Sequence, residues 1–132
     1  GSIHRNSYLD FPGSLTPWGS LPDEPTLVFA GQLTGVEGYT ESAASGLLAA
    51  VNVRRLLTGR SPVLPPATTM LGGLYQYLRE SDAGRFQPMN SNWGLVDPLD
   101  RRIRDKRKKR EAMALRAREA FEAWILAEEV MK

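Results

Sequence analysis

Proline and glycine partition this chain before any other feature is considered. Pro12, Gly13, Pro17, Gly19, Pro22 and Pro25 crowd one segment, Pro62, Pro65 and Pro66 another, and neither residue type occurs after Pro98. Proline fixes φ and removes a backbone donor, so no helix or central strand tolerates the density at 12–25, which reads as an ordered connector. Residues 61–66 read as a linker on the same grounds. Regular structure is confined to the intervals between these breaks.

The run 26–30, Thr-Leu-Val-Phe-Ala, is apolar without polar alternation and is bounded by Pro25 and Gly31. That pattern predicts a strand covered on both faces, as in a parallel sheet. Few other segments are strand-like, so the expected sheet neighbours belong to sequence outside this chain. Residues 31–39 form a glycine-spaced turn. A buried helix is predicted over 40–57, with small residues Ala43, Ala44 and Gly46 allowing close approach and Gly59 and Pro62 ending the run. A shorter helix follows through about Glu80, capped by Thr68 and weakened in its first turns by Gly72 and Gly73. From about Leu99 to the end, a single long helix is expected. Its apolar stripe is Met113, Ala117, Ala120, Phe121, Trp124 and Ile125, which makes the C-terminal half the docked half.

At 132 residues with 42% hydrophobic side chains, the chain can bury one modest core. It contains no cysteine and a single histidine, which excludes disulfides, a cysteine nucleophile in these residues and a histidine-built metal cage; no metal site is expected. No run approaches the roughly 18 apolar residues of a membrane span and no basic-then-apolar leader is present, so a soluble, cytoplasmic protein is expected. The net charge of +2 conceals an asymmetry. Residues 101–132 hold 11 Lys and Arg against 6 acids, a balance of +5, whereas 6 bases and 9 acids precede them, a balance of −3. The tail is therefore the side expected to face a polyanion.

A strand, a glycine turn and a helix starting near Tyr39 and Thr40 make a corner suited to an anion or an electron-rich edge. The first helical N–H groups lack partners and the macrodipole is positive there. Glycine spacing alone is equally the ordinary chemistry of a turn. The full strings are more specific. FAGQLTGVEGYTESAASG at 29–46 and FQPMNSNWGL at 86–95 closely resemble the folate- and FAD-dependent tRNA uracil-C5 methyltransferase family, TrmFO. The likeness extends to Ile3-His4-Arg5-Asn6, to the Leu-Gly-Gly-Leu-Tyr helix at 71–75 and to the basic C-terminal segment. A related flavoprotein family, which modifies the tRNA wobble uridine with a carboxymethylaminomethyl group, has a similar Ala-Gly-Gln turn. Thr34, Gly35, Val36, Glu37 and Ser42 favour the methyltransferase.

The resemblance implies an α/β fragment: the terminal part of a Rossmann-like FAD-binding domain, one parallel-type strand plus a buried helix, followed by a mostly helical extension. Expected divisions are 1–62 for the FAD-domain part, 63–100 for a helix and an active-site or T-arm loop, and 101–132 for a basic helix. The implied reaction carries the methylene carbon of 5,10-methylenetetrahydrofolate to C5 of uracil 54 in the tRNA T-loop, with reduced FAD as electron source and NAD(P)H as its reductant. The dinucleotide fingerprint and the nucleophilic cysteine of the family are absent from this chain, so the remaining N-terminal portion of the enzyme is an implied partner and the chain alone is expected to be inactive.

Flavin contacts are implied at Gly31, Gln32, Thr34, Gly35, Glu37, Gly38, Tyr39 and Ser42, chiefly through the backbone N–H groups of Gly38 and Tyr39. Folate contacts are implied at His4 and Tyr39, whose rings can stack on a pterin. Glu37 and Glu41 at a helix start are also explained by the dipole alone. Arg101, Arg102, Arg104, Lys106, Arg107, Lys108, Lys109 and Arg110 are the candidate tRNA phosphate contacts, although such a run is also ordinary solvated surface. A free-standing RNA-binding module acting through this basic segment is the alternative reading.

Overall fold

The computed structural model describes residues 7–132, and a short helix at its centre organises the rest. Three helices and a single helical turn account for its α-helical structure: α1 (Phe11–Ser14), α2 (Tyr39–Leu57), α3 (Met70–Glu80) and α4 (Lys106–Ala127). Leu74, Tyr75 and Leu78 of α3 are buried and form the core with Phe11, Val36, Leu48 and Phe86. Phe11 meets the Tyr75 ring edge-on, with centroids 6.2 Å apart. The expected connector at 12–25 thus begins with a helical turn, because Pro12 lies in its first turn, where the missing N–H costs nothing.

The cap of α3 is Thr69 rather than Thr68. Its hydroxyl accepts from Gly72 N at 3.0 Å and donates to Pro66 O at 2.6 Å, which also ties the proline linker to the helix. Gly72 and Gly73 have a different part from the weakening expected of them. A Cβ on Gly72 would collide with the Pro66 carbonyl, and one on Gly73 would lie 2.6 Å from Leu95 O. The helix is entered so closely by two backbone segments that only glycine fits.

The apolar run at 26–30 does not form a strand ladder. Val28 makes one antiparallel bridge to Ser20, and Leu27 is 46% exposed. With no neighbouring strand among the described residues, the run satisfies its backbone locally, as in the Leu21 N to Leu27 O and Phe29 N to Gly19 O bonds. Helix α2 matches the expected span but is buried on one face only. Ser45, Leu48, Asn52 and Arg55 point inward, whereas Leu47 and Leu57 are 72% and 70% exposed. Inside, Asn52 pairs with both backbone groups of Val63, at 3.0 and 2.8 Å, fixing the linker against the helix.

The long helix starts at Lys106, not near Leu99, because the Asp105 carboxylate accepts from Lys108 N at 2.8 Å and caps it there. Its docked residues include Met113, Trp124 and, past its end, Val130. Two arginines secure the far end. Arg55 Nη1 and Arg60 Nη2 donate to the Glu128 carbonyl at 2.6 and 3.0 Å, placing positive charge where the last carbonyls and the dipole are negative. Arg116 donates to Pro98 O at 2.9 Å and to Asp97 O, holding the 97–98 segment to the helix flank.

Candidate functional site

The two sequence motifs, more than 50 residues apart at their centres, lie side by side. Glu37 N donates to Met89 O and Met89 N to Gly35 O, both at 2.9 Å, a parallel bridge centred on Val36 and Met89. Phe86 fills the space beside Gly35, where a Cβ would overlap its ring, and Gly35 adopts a φ of +83° that L side chains rarely take. Glu41 Oε1 accepts from Ser91 N at 3.3 Å, a second link between the motifs. A turn and a loop that carry no regular sheet are therefore locked together by backbone bonds and one aromatic ring.

Residues 31–34 form a single 3-10 turn. Thr34 is buried and its hydroxyl donates to Gly31 O at 2.7 Å, so this side chain closes the turn. Gly31 N donates to Ser45 Oγ at 2.7 Å, and that hydroxyl donates to Ser42 O at 2.9 Å, fastening the turn to the first turns of α2. The consequence is an open groove of about 390 Å³ at the start of α2, lined by Gln32, Val36, Glu37, Gly38, Tyr39 and Ser42. Five of the eight residues singled out for flavin contact thus share one wall, while Gly31, Thr34 and Gly35 build the turn behind it.

The helix start itself faces this groove without a cap. Gly38, at the N-cap position with φ +99°, offers no side chain to the first N–H groups, and no other side chain among the described residues bonds them there. A Cβ on Gly38 would run into the Glu41 carboxylate. Unpaired donors and the positive end of a 19-residue helix therefore meet at the groove, an arrangement complementary to an electron-rich heterocycle edge or an anion. Tyr39 is 98% exposed, a flat ring in the groove lining with little packing among the described residues. His4 lies outside the described residues.

The basic candidates fall into two groups. Arg101, Arg102 and Arg104 precede α4 in irregular backbone, and Lys106, Arg107, Lys108, Lys109 and Arg110 occupy its first turns; all are exposed. Arg107 is paired with Glu111 at 2.9 Å. Among the described residues no group of three His, Asp or Glu side chains converges as a metal site, and no helix is long and apolar enough to cross a membrane. Ser45, Phe86 and Met89 escaped the sequence reading as site-builders. Their signal was present only as membership of the two motifs, since a serine hydroxyl or a phenylalanine announces no long-range partner.

Known proteins resemble the chain along almost all of it. The family described as Glucose inhibited division protein A matches residues 1–61. A protein of Bacillus cytotoxicus named methylenetetrahydrofolate–tRNA-(uracil-5-)-methyltransferase TrmFO is 46% identical over 125 residues, which cover 95% of this chain and 29% of that protein. The protein of the same name from Persephonella marina is 50% identical over 117 residues, 89% of this chain and 27% of its own length. The Bacillus mycoides protein is 45% identical over 125 residues. The chain spans less than a third of the length of these relatives.

Proposed function

Because the chain belongs to the TrmFO family, as a segment equivalent to 29% of a relative's length, we propose that it is the C-terminal part of a flavoenzyme that methylates C5 of uracil 54 in the tRNA T-loop. The observation that carries this reading is the uncapped start of α2, opening into a groove lined by Gln32, Glu37, Gly38, Tyr39 and Ser42. The backbone donors at that groove suit FAD: reduction makes the pyrimidine edge of its ring electron-rich, and N–H groups at a helix start favour such an edge. Glu37 and Glu41 are acidic at the same corner, so aimed N–H groups rather than net charge would hold the flavin. When bound, FAD supplies the electrons that turn the transferred methylene carbon of 5,10-methylenetetrahydrofolate into a methyl group, with NAD(P)H as its reductant.

The residues of this chain bind and orient. Gly38 and Tyr39 N–H hold the flavin edge, Gln32 and Ser42 border it, and the rings of Tyr39 and His4 flank the folate pterin. The 3-10 turn, tied down by Ser45 and Phe86, keeps the donors in register. The basic segment 101–110 neutralises tRNA phosphates and orients the T-arm without selecting its base.

The nucleophile and the ADP-binding fingerprint belong to the remaining, N-terminal portion of the longer protein. The outward face of α2, with Leu47 and Leu57 largely bare, supports packing against that portion and counts against a free-standing RNA-binding module. The rest of a Rossmann-like FAD-binding domain is the architecture that would complete such a face.

The test uses the full-length enzyme containing this segment. It is expected to purify yellow with FAD and to methylate uracil 54 in a T-arm transcript when given methylenetetrahydrofolate and NAD(P)H. Gly38→Ala, which forces a side chain onto a φ of +99° and into the Glu41 carboxylate and so displaces the helix start, is expected to lower flavin retention about tenfold at unchanged tRNA affinity. A full-length enzyme that binds no flavin, or a Gly38→Ala protein that retains it fully, would sink the assignment.

A further inference from the structure

A second groove, of about 460 Å³, lies between the 93–98 segment and the first turns of α4. Its lining brings together Trp93, the buried Val96 and Met113, and the cations Lys106, Lys109 and Arg110. Positions 106, 109, 110 and 113 recur at helical spacing, so they continue the stripe by which α4 docks further along. At that stripe an apolar side chain would close the helix onto Val96; basic ones leave the groove open.

Two observations give the groove a chemistry. Lys106, Lys109 and Arg110 form no ion pair among the described residues, unlike Arg107, and they crowd a helix start whose first turn holds no acid, the Asp105 carboxylate before it being engaged by Lys108 N. Positive charge at the positive end of a helix dipole is unfavourable, and an incoming anion relieves it. The second observation is the indole. Trp93 sits in a short 3-10 turn stiffened by Asn92 Oδ1, which accepts from Gly94 N at 2.9 Å, and the wall behind it is held by the Gly73–Leu95 approach and by Arg116 on Pro98 O. An aromatic ring that shares one groove with three cations unpaired among the described residues suits a base and its phosphates rather than a phosphate alone. An adjoining groove shares Pro98 and Lys109 and continues towards Arg101 and Arg102, so the cationic track extends beyond one nucleotide.

We propose that this groove binds an unpaired nucleotide of the tRNA loop, its base stacked on Trp93 and its flanking phosphates set against Lys106, Lys109 and Arg110. The inference rests on the tRNA reading above and adds single-strand selectivity to it. Single-stranded RNA is recognised through exposed base faces, which a paired stem does not offer.

The test compares full-length enzymes binding a T-arm stem-loop and a fully paired RNA hairpin stem of equal length, across a salt series. Trp93→Ala is expected to weaken stem-loop binding about tenfold, with an unchanged salt slope and little effect on the paired stem, and Trp93→Phe to restore most of the loss. The triple change Lys106→Gln, Lys109→Gln, Arg110→Gln is expected to weaken both RNAs and to reduce the salt slope by about 2. Flavin content and thermal midpoint equal to wild type certify folding; where Trp93→Ala fails that control, Trp93→Leu takes its place with the same expectation. Equal losses on both RNAs with Trp93→Ala, no loss at all, or displacement of the stem-loop by polyglutamate as effectively as by RNA would overturn the proposal. A wild-type enzyme that binds no tRNA would instead overturn the reading on which it rests.

Discussion

Two helix starts in this molecule face open grooves, and they are built in opposite ways. Helix α2 begins at a bare glycine with no cation in its first turn, and what it presents is backbone N–H aimed by packing. Helix α4 begins at an aspartate cap that satisfies the Lys108 N–H, and what it presents is side-chain charge on flexible stems. The first is suited to one flat ligand edge at fixed distance, where geometry decides. The second is suited to a polyanion, where charge decides and position is forgiving. Sites made of backbone should therefore fail through strain and loss of packing, and sites made of cations should fail through salt.

The largest effect that separates them is expected at Gly35. Gly35→Ala forces a side chain onto a φ of +83° and into the Phe86 ring, which is itself buried. A loss of about 3 kcal/mol in unfolding free energy is expected, together with loss of flavin from the full-length enzyme. Urea denaturation and flavin absorbance read both. The salt slope of tRNA binding should stay that of wild type below the unfolding transition, and a changed slope with retained flavin would break the contrast.

A smaller effect is expected at Ser45, whose hydroxyl joins Gly31 N to Ser42 O. Ser45→Ala leaves Gly31 N without that acceptor and should cost about 1.5 kcal/mol in the same denaturation experiment. Flavin affinity should fall while tRNA affinity does not; equal losses in both would mean the turn supports the two grooves alike.

The smallest effect asks whether the grooves share one core. Burial pushes the phenol of Tyr75 well above its ordinary range. The unfolded chain then ionises first as pH rises past about 10, so the stability contributed by the neutral buried phenol is complete below that pH and is lost above it. Near pH 11 the loss should be about 1 kcal/mol, and Tyr75→Phe should remove it. Flavin retention and loop binding declining together along this limb would join both grooves to the α3 core. Decline of only one would separate them.

Much of the groove at the start of α2 was legible in the residues. The glycine turn and the helix from 39 to 57 follow from spacing, and five of the implied contact residues line one groove. The turn-building part of Thr34 and Gly35 was not legible, because it depends on Gly31 O and on Phe86, partners that no local pattern names. The apolar run at 26–30 carried a strand pattern, yet hydrogen-bonded ladders need a neighbour and the described residues supply that run with a single bridge, from Val28 to Ser20. At the other end, a proline-free stretch predicted a helix from about Leu99. Asp105 moved the start to Lys106 and left three arginines in irregular backbone.

What the sequence by itself determined is local: where proline and glycine forbid regular structure, where helical periodicity returns, and which segment carries the positive charge. Each follows from the torsional freedom or the charge of residues close together in the chain. Only the tertiary structure decided that 29–46 and 86–95 are bonded side by side, that Gly72 and Gly73 are needed for space rather than being defects, and that Trp93 shares one groove with Lys106, Lys109 and Arg110. Those facts depend on close packing between distant segments, where one backbone approach or one ring sets the geometry and where no single residue's preference contains the answer.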